Sequence, residues 1–145
     1  MPPTLNEQIR LARGNKWNSA RIKKNETQDI VTECLSQNPI KFKGAVWIDF
    51  VWELKTRKLD PLDNVTASLK YILDGMVKAG VIEEDNGTII QSPAMHWFEY
   101  SKKGYKIKEN SVMITISDHP HFLFERMVEY RKLLVEEAEG IKVSS

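Results

Sequence analysis

Three aspartates in the middle of the chain have the types and the order expected of a divalent-metal site. Asp60 and Asp63 lie close together in the sequence, and Asp85 follows further along. Carboxylates brought close together raise each other's pKa, so such a cluster persists mainly when a cation neutralises it. Oxygen ligands select a hard ion, so the expected metal is Mg²⁺, with Mn²⁺ as a substitute. Such a site could activate a water to cut the phosphodiester backbone of nucleic acid.

A lysine accompanies these acids on the same stretch of chain. At about 100° per residue, Asp63, Lys70 and Asp74 share one side of a helix. Lys70 could add a fixed positive charge to the same transition state. Plainer interpretations stay open: Asp63 is a good helix cap, Lys70 and Asp74 can form a surface ion pair, and Asp85 can simply shape a turn.

Two elements must position these residues. A period of two over residues 44–55, rich in aromatic and β-branched residues, predicts a strand. Residues 63–79 carry an apolar stripe at helical spacing, and Gly80 is a natural end for that helix. If the helix packs on the strand, the loop before it and the segment after it can bring the three aspartates together.

The remaining pattern completes an α+β fold, a small mixed β-sheet with helices packed on it. Residues 5–35 are predicted to be helical in two pieces that end before Pro39. The further predicted strands are 88–91, 95–100 and 112–116, and the last predicted helix is 122–139. The predicted order of elements is ααβαβββα. We expect a single domain with three parts. They are a basic helical arm (1–38), a part holding the sheet and the active-site helix (39–120), and a C-terminal helix (121–145).

Composition narrows the class of protein. The chain has 145 residues with ordinary apolar and charged fractions, enough for one domain with its own core. No apolar run approaches the roughly 20 residues of a spanning helix, and the start lacks a secretory signal. Cys34 is the one cysteine, which predicts a buried small hydrophobe. We expect a cytoplasmic protein without membrane contact or organic cofactor.

The positive charge is concentrated near the start. Residues 1–25 sum to +5, whereas the whole chain has a net charge of +1. A basic arm on a mildly acidic body is typical of a protein that contacts the phosphate backbone, although a solvated helix face would show the same run. The candidate DNA-binding residues are Arg10, Arg13, Lys16, Arg21, Lys23 and Lys24.

Residues 59–87 couple several residue types at set spacings. They hold an Asp-x-x-Asp-Asn, then a lysine and Ile-Leu-Asp inside a helix, then Gly-Val and a late aspartate. This segment resembles the signature of RusA-type Holliday junction resolvases. The opening Pro3-Thr4-Leu5-Asn6-Glu7 and the basic stretch after it also resemble the start of versions carried by phages and prophages of Gram-positive bacteria.

The resemblance implies roles for four residues. Asp63 and Asp85 match metal-binding aspartates, Lys70 matches the lysine needed for cleavage, and Asp74 matches a helical acid with a structural role.

The first metal-binding aspartate departs from the family pattern. It normally lies two residues before the second, where this chain has Pro61. Either the loop is one residue longer and Asp60 still reaches the metal, or that ligand is lost. Asp49 or Glu53, on the polar side of the preceding predicted strand, could substitute.

The activity implied by the resemblance is that of a Mg²⁺-dependent endodeoxyribonuclease. Such an enzyme works as a homodimer that nicks four-way or branched DNA symmetrically, here in a bacterial host cell. Two alternatives remain open: a non-catalytic branched-DNA-binding or regulatory protein that retains the fold, and an enzyme that cuts other branched or flapped DNA. The three histidines show no metal-ligand spacing with the acids, which predicts surface or core positions for His96, His119 and His121.

Overall fold

The structure is a computed structural model that describes residues 5–12, 26–57, 66–92 and 95–144. Within these ranges the elements are β1 (Asn6–Ala12), α1 (Glu26–Ser36), β2 (Trp47–Leu54), α2 (Thr66–Lys78), β3 (Met95–Tyr100), β4 (Ser111–Ser117) and α3 (Pro120–Ser144). No helix in the described ranges is long and apolar enough to cross a membrane.

The strands form one mixed sheet in the order β1-β4-β2-β3. β4 pairs antiparallel with both β1 and β2, whereas β2 and β3 are parallel. The parallel pair requires a crossover, and α2 lies in that connection. The predicted α+β class, a small mixed sheet with helices packed on it, is confirmed.

The central strand β2 is buried on both sides. Ile48, Phe50 and Trp52 belong to the main core, as their period of two predicts. The alternate residues Asp49 and Val51 are also buried. α3 contacts β2 and β4, so this second face is covered as well. The predicted polar side of the strand is therefore wrong at Asp49, because α3 packs on this face of the sheet and Asp49 is fully buried there.

The predicted basic helical arm is confirmed over Glu26–Ser36, which form α1, and is wrong over Asn6–Ala12. Residues 6–12 form β1, which pairs along its length with β4. Ile9 and Leu11 are buried while Gln8 and Arg10 are exposed, so the burial has a strand's period of two. Glutamate, glutamine, arginine and leucine favour helices locally, but pairing with β4 overrides that weak preference. The observed order is βαβαββα in the described ranges.

Side chains from α1 and the turn after it protect the free edge of β1. The backbone N–H of Arg10 donates to Gln37 Oε1 at 2.8 Å, and Gln37 Nε2 donates to the Arg10 carbonyl at 2.8 Å. The N–H of Ala12 donates to Glu33 Oε2 at 2.9 Å. These bonds satisfy groups that an edge strand would otherwise offer to another chain. The strand conformation of β1 therefore depends on contacts with α1 as well as on pairing with β4.

The two helices over the core make a close contact at Gly75. A Cβ atom at this position would lie 2.4 Å from Cγ2 of Ile30 on α1, which is closer than real atoms approach. Glycine in the middle of a helix is locally unfavourable, so its presence here reflects the close packing of α1 on α2. Ile30 and Cys34 are fully buried on α1, and the predicted burial of Cys34 is confirmed.

The predicted end of α2 at Gly80 is confirmed. Gly80 has a φ of 78°, its N–H donates to the Val77 carbonyl at 3.0 Å, and the N–H of Val81 donates to the Met76 carbonyl at 2.9 Å. This pair of bonds is the Schellman arrangement, which a glycine favours because it lacks a Cβ. α2 is described from Thr66, so the predicted first turn at residues 63–65 lies outside the described residues.

Two smaller predictions have different outcomes. Residues 88–91 do not form a full strand: the segment makes a single parallel bridge between Val46 and Ile90. The predicted C-terminal helix is confirmed and is longer than expected, from Pro120 to Ser144. Proline suits a first helical position because the missing N–H would have no partner there.

Candidate active site

A groove of about 270 Å³ lies between α2, β2 and the turn that follows α2. We call it the Asp85 groove. Its lining residues are Ile48, Phe50, Leu69, Leu73, Asp85, Asn86, Gly87, Ile90 and His96. Most of this surface is apolar, and Asp85 is the one carboxylate in it among the described residues. The predicted late aspartate is thus an exposed residue that lines a groove at the protein surface.

The fold of the chain after α2 places Asp85. The Gly80 turn reverses the chain, and buried Val81 and Ile82 anchor the segment that follows. Asn86 then fixes the turn, because its Oδ1 accepts from the N–H of Thr88 at 3.0 Å. The returning chain brings Asp85 beside Leu69 and Leu73, in the N-terminal half and the middle of α2.

Lys70 and Asp74 lie on α2 next to the groove-lining leucines. Lys70 is exposed and Asp74 is half-buried. Both belong to the described part of α2, and no ion pair joins the two. The surface ion pair that the sequence left open is therefore absent between these two residues.

The other two predicted metal ligands, Asp60 and Asp63, lie outside the described residues. In the sequence Asp63 stands three positions before Thr66, the first residue of α2. Among the described residues, no group of three or more histidine, cysteine, aspartate and glutamate side chains could hold a metal ion.

The suggested replacements for Asp60 do not line the groove. Ile48 and Phe50 face it from β2, and successive side chains of a strand point to opposite faces. Asp49 and Glu53 therefore belong to the other face of the sheet. Asp49 is fully buried there, and Glu53 pairs with Arg10 at 2.8 Å. The alternation of β2 thus separates both carboxylates from Asp85.

A second pocket, of about 240 Å³, lies around Arg10. We call it the Arg10 pocket. Its lining residues are Arg10, Ala12, Glu53, Tyr105, Lys106, Ile107, Lys108, Glu109 and Ser111. It thus holds three cationic side chains, of which the sequence predicted only Arg10 as a DNA contact. Lys106 and Lys108 were missed because they lie far from the basic start of the chain, and only the β1–β4 pairing brings the two stretches together.

Arg10 is held by its neighbours. Its Nη1 donates to Glu53 Oε2 at 2.8 Å and to Ser111 Oγ at 3.1 Å. The hydrogen bond with Glu53 raises the pKa of Arg10, so the guanidinium stays charged. The predicted contacts Arg13, Lys16, Arg21, Lys23 and Lys24 lie outside the described residues.

His96 is a groove residue that the sequence did not indicate as functional. Its ring stacks on Phe50 with centroids 4.6 Å apart and planes 2° apart. Trp52 Nε1 donates to His96 Nδ1 at 3.0 Å. The alternation of His96, Phe98 and Tyr100 along β3 was the only signal in the sequence, and it does not reveal the parallel register that places His96 beside Phe50.

Comparison with known proteins leaves the family open. The chain matches no protein-family model, and no curated protein matches it either. The functional argument therefore depends on the residues and their geometry.

Proposed function

We propose that this chain is a Mg²⁺-dependent endodeoxyribonuclease that resolves four-way DNA junctions by paired nicks, in the cytoplasm of a bacterial host cell. The proposal joins the resemblance to RusA-type resolvases with the geometry of the Asp85 groove. It commits to a reaction, the hydrolysis of phosphodiester bonds, and to a substrate class, branched DNA.

One observation carries the proposal. The chain folds back after α2, so that Asp85 lines a groove with Leu69, within the first described turn of that helix. Asp60 and Asp63 precede the same end of α2 in the sequence. The position of Asp85 in this groove supports a metal site shared with Asp63, which stands three positions before Thr66 in the sequence.

The described donor fits a hard divalent cation. Asp85 is exposed, so its carboxylate oxygens are open to solvent and to an ion. Mg²⁺ usually takes one or two carboxylates and completes its shell with waters and substrate phosphate oxygens. Asp63 and Asp60 would supply the remaining carboxylates. When bound, the metal would supply an activated water and neutralise the charge that develops at phosphorus.

The residues of the chain would orient the DNA strand around that site. Lys70, exposed on α2 beside Leu69, brings a positive charge that attracts the phosphate and stabilises the additional charge in the transition state. The apolar walls of the groove, with Leu73 and Phe50, limit the water around the scissile phosphate.

We also propose that the protein works as a homodimer. A four-way junction has near two-fold symmetry, and two identical sites related by a two-fold axis would match it. The exposed apolar residues of α3 support this, with Val128 at 54%, Leu133 at 56% and Leu134 at 49% exposure. Leu133→Lys together with Leu134→Lys is expected to shift the protein towards monomer in sedimentation velocity. A dimer unaffected by both changes would place the interface elsewhere.

A cleavage assay on a panel of DNA substrates tests the function. Synthetic four-way junctions, flaps, forks and plain duplex, each end-labelled on every strand, are incubated with wild-type protein and Mg²⁺, Mn²⁺ or EDTA. We expect paired, symmetric nicks in the junction with either metal, slower cleavage of the other substrates, and none in EDTA.

Two outcomes would contradict the proposal. Tight junction binding without nicks in Mg²⁺ or Mn²⁺ would favour the non-catalytic branched-DNA-binding protein. Faster cleavage of flaps or forks than of junctions would retain the nuclease and replace its substrate.

A further inference from the structure

The ring of His96 is fixed by two aromatic neighbours on β2. His96 pairs with Phe50 in the parallel β2–β3 register, and the two rings are stacked. Trp52, two residues further along β2, has its ring 6.0 Å from that of His96 and nearly parallel to it, at 15°. The imidazole is therefore held in one orientation at the wall of the Asp85 groove.

The hydrogen bond from Trp52 determines which ring nitrogen of His96 carries the proton. An indole N–H can only donate, so Nδ1 of His96 must be the acceptor. A neutral imidazole has one protonated nitrogen, and here it must be Nε2. A doubly protonated ring would oppose its Nδ1–H to the indole N–H. His96 is an exposed residue, but partial desolvation against its aromatic neighbours lowers its pKa, which agrees with a neutral ring.

This tautomer gives the groove a neutral hydrogen-bond donor. His96 and Asp85 line the same groove. Among the described residues, no group accepts a hydrogen bond from Nε2 of His96. A protonated Nε2 cannot ligate a metal, but it can donate to an oxygen. Because the ring is uncharged, it adds a donor without repelling a cation bound at Asp85.

We propose that Nε2–H of His96 donates a hydrogen bond to a phosphate oxygen of the DNA strand that enters the Asp85 groove. His96 would then be a substrate-binding residue, and Trp52 a positioning residue that acts through it. This inference depends on the proposed function for its substrate, a phosphodiester held near Asp85. It adds a neutral hydrogen-bond donor to the site, which neither the predicted aspartates nor the basic residues near the start of the chain supply.

Three substitutions separate the two nitrogens of His96. His96→Gln places an amide N–H near the position of Nε2, and so retains a donor to the groove. His96→Asn can still accept from Trp52 but has no group that reaches as far as Nε2. His96→Phe retains the stacking on Phe50 and removes both hydrogen bonds.

The expected result follows from the missing donor. A hydrogen bond to a charged group corresponds to about 10- to 100-fold in rate or affinity. We expect the asparagine and phenylalanine variants to nick a synthetic four-way junction that much more slowly under single-turnover conditions, and the glutamine variant to stay within about fivefold of wild type. Junction affinity, measured with Ca²⁺ in place of Mg²⁺, should follow the same order.

The tautomer can be measured without DNA or activity. Long-range ¹H–¹⁵N spectra of protein labelled at histidine are expected to show His96 with the proton on Nε2, and Trp52→Phe is expected to release that preference. An Nδ1-protonated His96 in the wild type would overturn the inference. Thermal melting of each variant identifies any that do not fold, and the asparagine–glutamine pair suffices if the phenylalanine variant fails.

Failure of this inference can be distinguished from failure of the proposed function. If wild type nicks junctions and all three variants nick at its rate, His96 makes no such hydrogen bond and the nuclease stands. If wild type nicks no DNA, the proposed function fails. In that case, equal junction affinities of the asparagine and glutamine variants would overturn the His96 hydrogen bond as well, whereas weaker binding by asparagine alone would support it.

Discussion

The Asp85 groove and the Arg10 pocket lie on opposite faces of the same strand, β2, and differ in how their charges are balanced. In the Arg10 pocket, Arg10 is paired with Glu53 at 2.8 Å, and Glu109 lies among the lysines. In the Asp85 groove, the carboxylate of Asp85 has no cation among the described lining residues. A site with uncompensated negative charge attracts a cation, whereas the ion pair of Arg10 with Glu53 is mainly a structural feature.

We infer from this difference that DNA cleavage and DNA affinity depend on different parts of the protein. The groove is expected to determine the rate of cleavage, and the basic residues between positions 13 and 24 are expected to determine how tightly DNA is bound. In the sequence this basic segment, residues 13–24, follows directly after Ala12, which lines the Arg10 pocket. Three predictions test this division.

The largest expected effect on affinity comes from the basic segment. Lys16, Arg21, Lys23 and Lys24 are replaced together by glutamine. Junction Kd should rise by about 10- to 100-fold at moderate salt, and the slope of log Kd against log salt should decrease by about 0.9 for each phosphate that the variant no longer neutralises. Cleavage at saturating protein should be unchanged, because the groove is intact.

Fluorescence anisotropy over a salt series measures this slope. Lys132→Gln, on the exposed surface of α3, gives the effect of removing one positive charge outside the segment, for comparison with the effect per charge in the fourfold variant. An unaltered slope in the fourfold variant would mean that the segment is a solvated scaffold, and the division of roles would fail.

The second prediction concerns the packing behind the groove. Gly75→Ala places a methyl group against Ile30, and overpacking of this kind costs about 1–3 kcal/mol in free energy of unfolding. α2 forms one wall of the groove, so cleavage should fall more than junction affinity. Gly140→Ala, on the exposed part of helix α3 where an added Cβ meets nothing within 4 Å, is the matched control in urea unfolding. Equal stability of the two variants would contradict the close α1–α2 packing.

The smallest expected effect is the coupling between Arg10 and Glu53. Their side chains are 47% and 20% exposed, so solvent screens the pair. A double-mutant cycle with Arg10→Gln and Glu53→Gln is expected to give a coupling of about 0.5–1 kcal/mol in unfolding free energy. Junction affinity should change little. A coupling near zero with a large decrease in affinity would mean that Arg10 binds DNA directly.

The sequence predicted the elements whose hydrophobic period is unambiguous. The alternation in β2 and β4 and the stripe of α2 each reflect the face that packs into the main core, which local spacing records. β1 was missed because its residues favour helices locally and its strand form depends on pairing with β4. The second covered face of β2, which buries Asp49, depends on where α3 packs, and the alternation of β2 cannot show that.

The candidate site was predictable to a different extent. Asp85 was identified by its place in a motif, and its position in a groove follows from the Gly80 turn that the sequence also predicted. His96 could not be identified, because its fixed tautomer depends on Trp52 and on a parallel register between strands separated by α2. Local patterns thus predict the secondary structure and the motif to which a residue belongs, whereas the sheet register determines which side chains come into contact.

The most direct measurement of the central claim is single-turnover nicking of a four-way junction with Mg²⁺ by wild type, Asp85→Asn and Glu84→Gln. Glu84 is an exposed acid next to Asp85 and outside the groove lining, so it controls for removal of one negative charge. We expect the nicking rate of Asp85→Asn to fall by at least about 100-fold while junction Kd stays within a few fold, and Glu84→Gln to match wild type. Equal rates for Asp85→Asn and wild type would contradict the account.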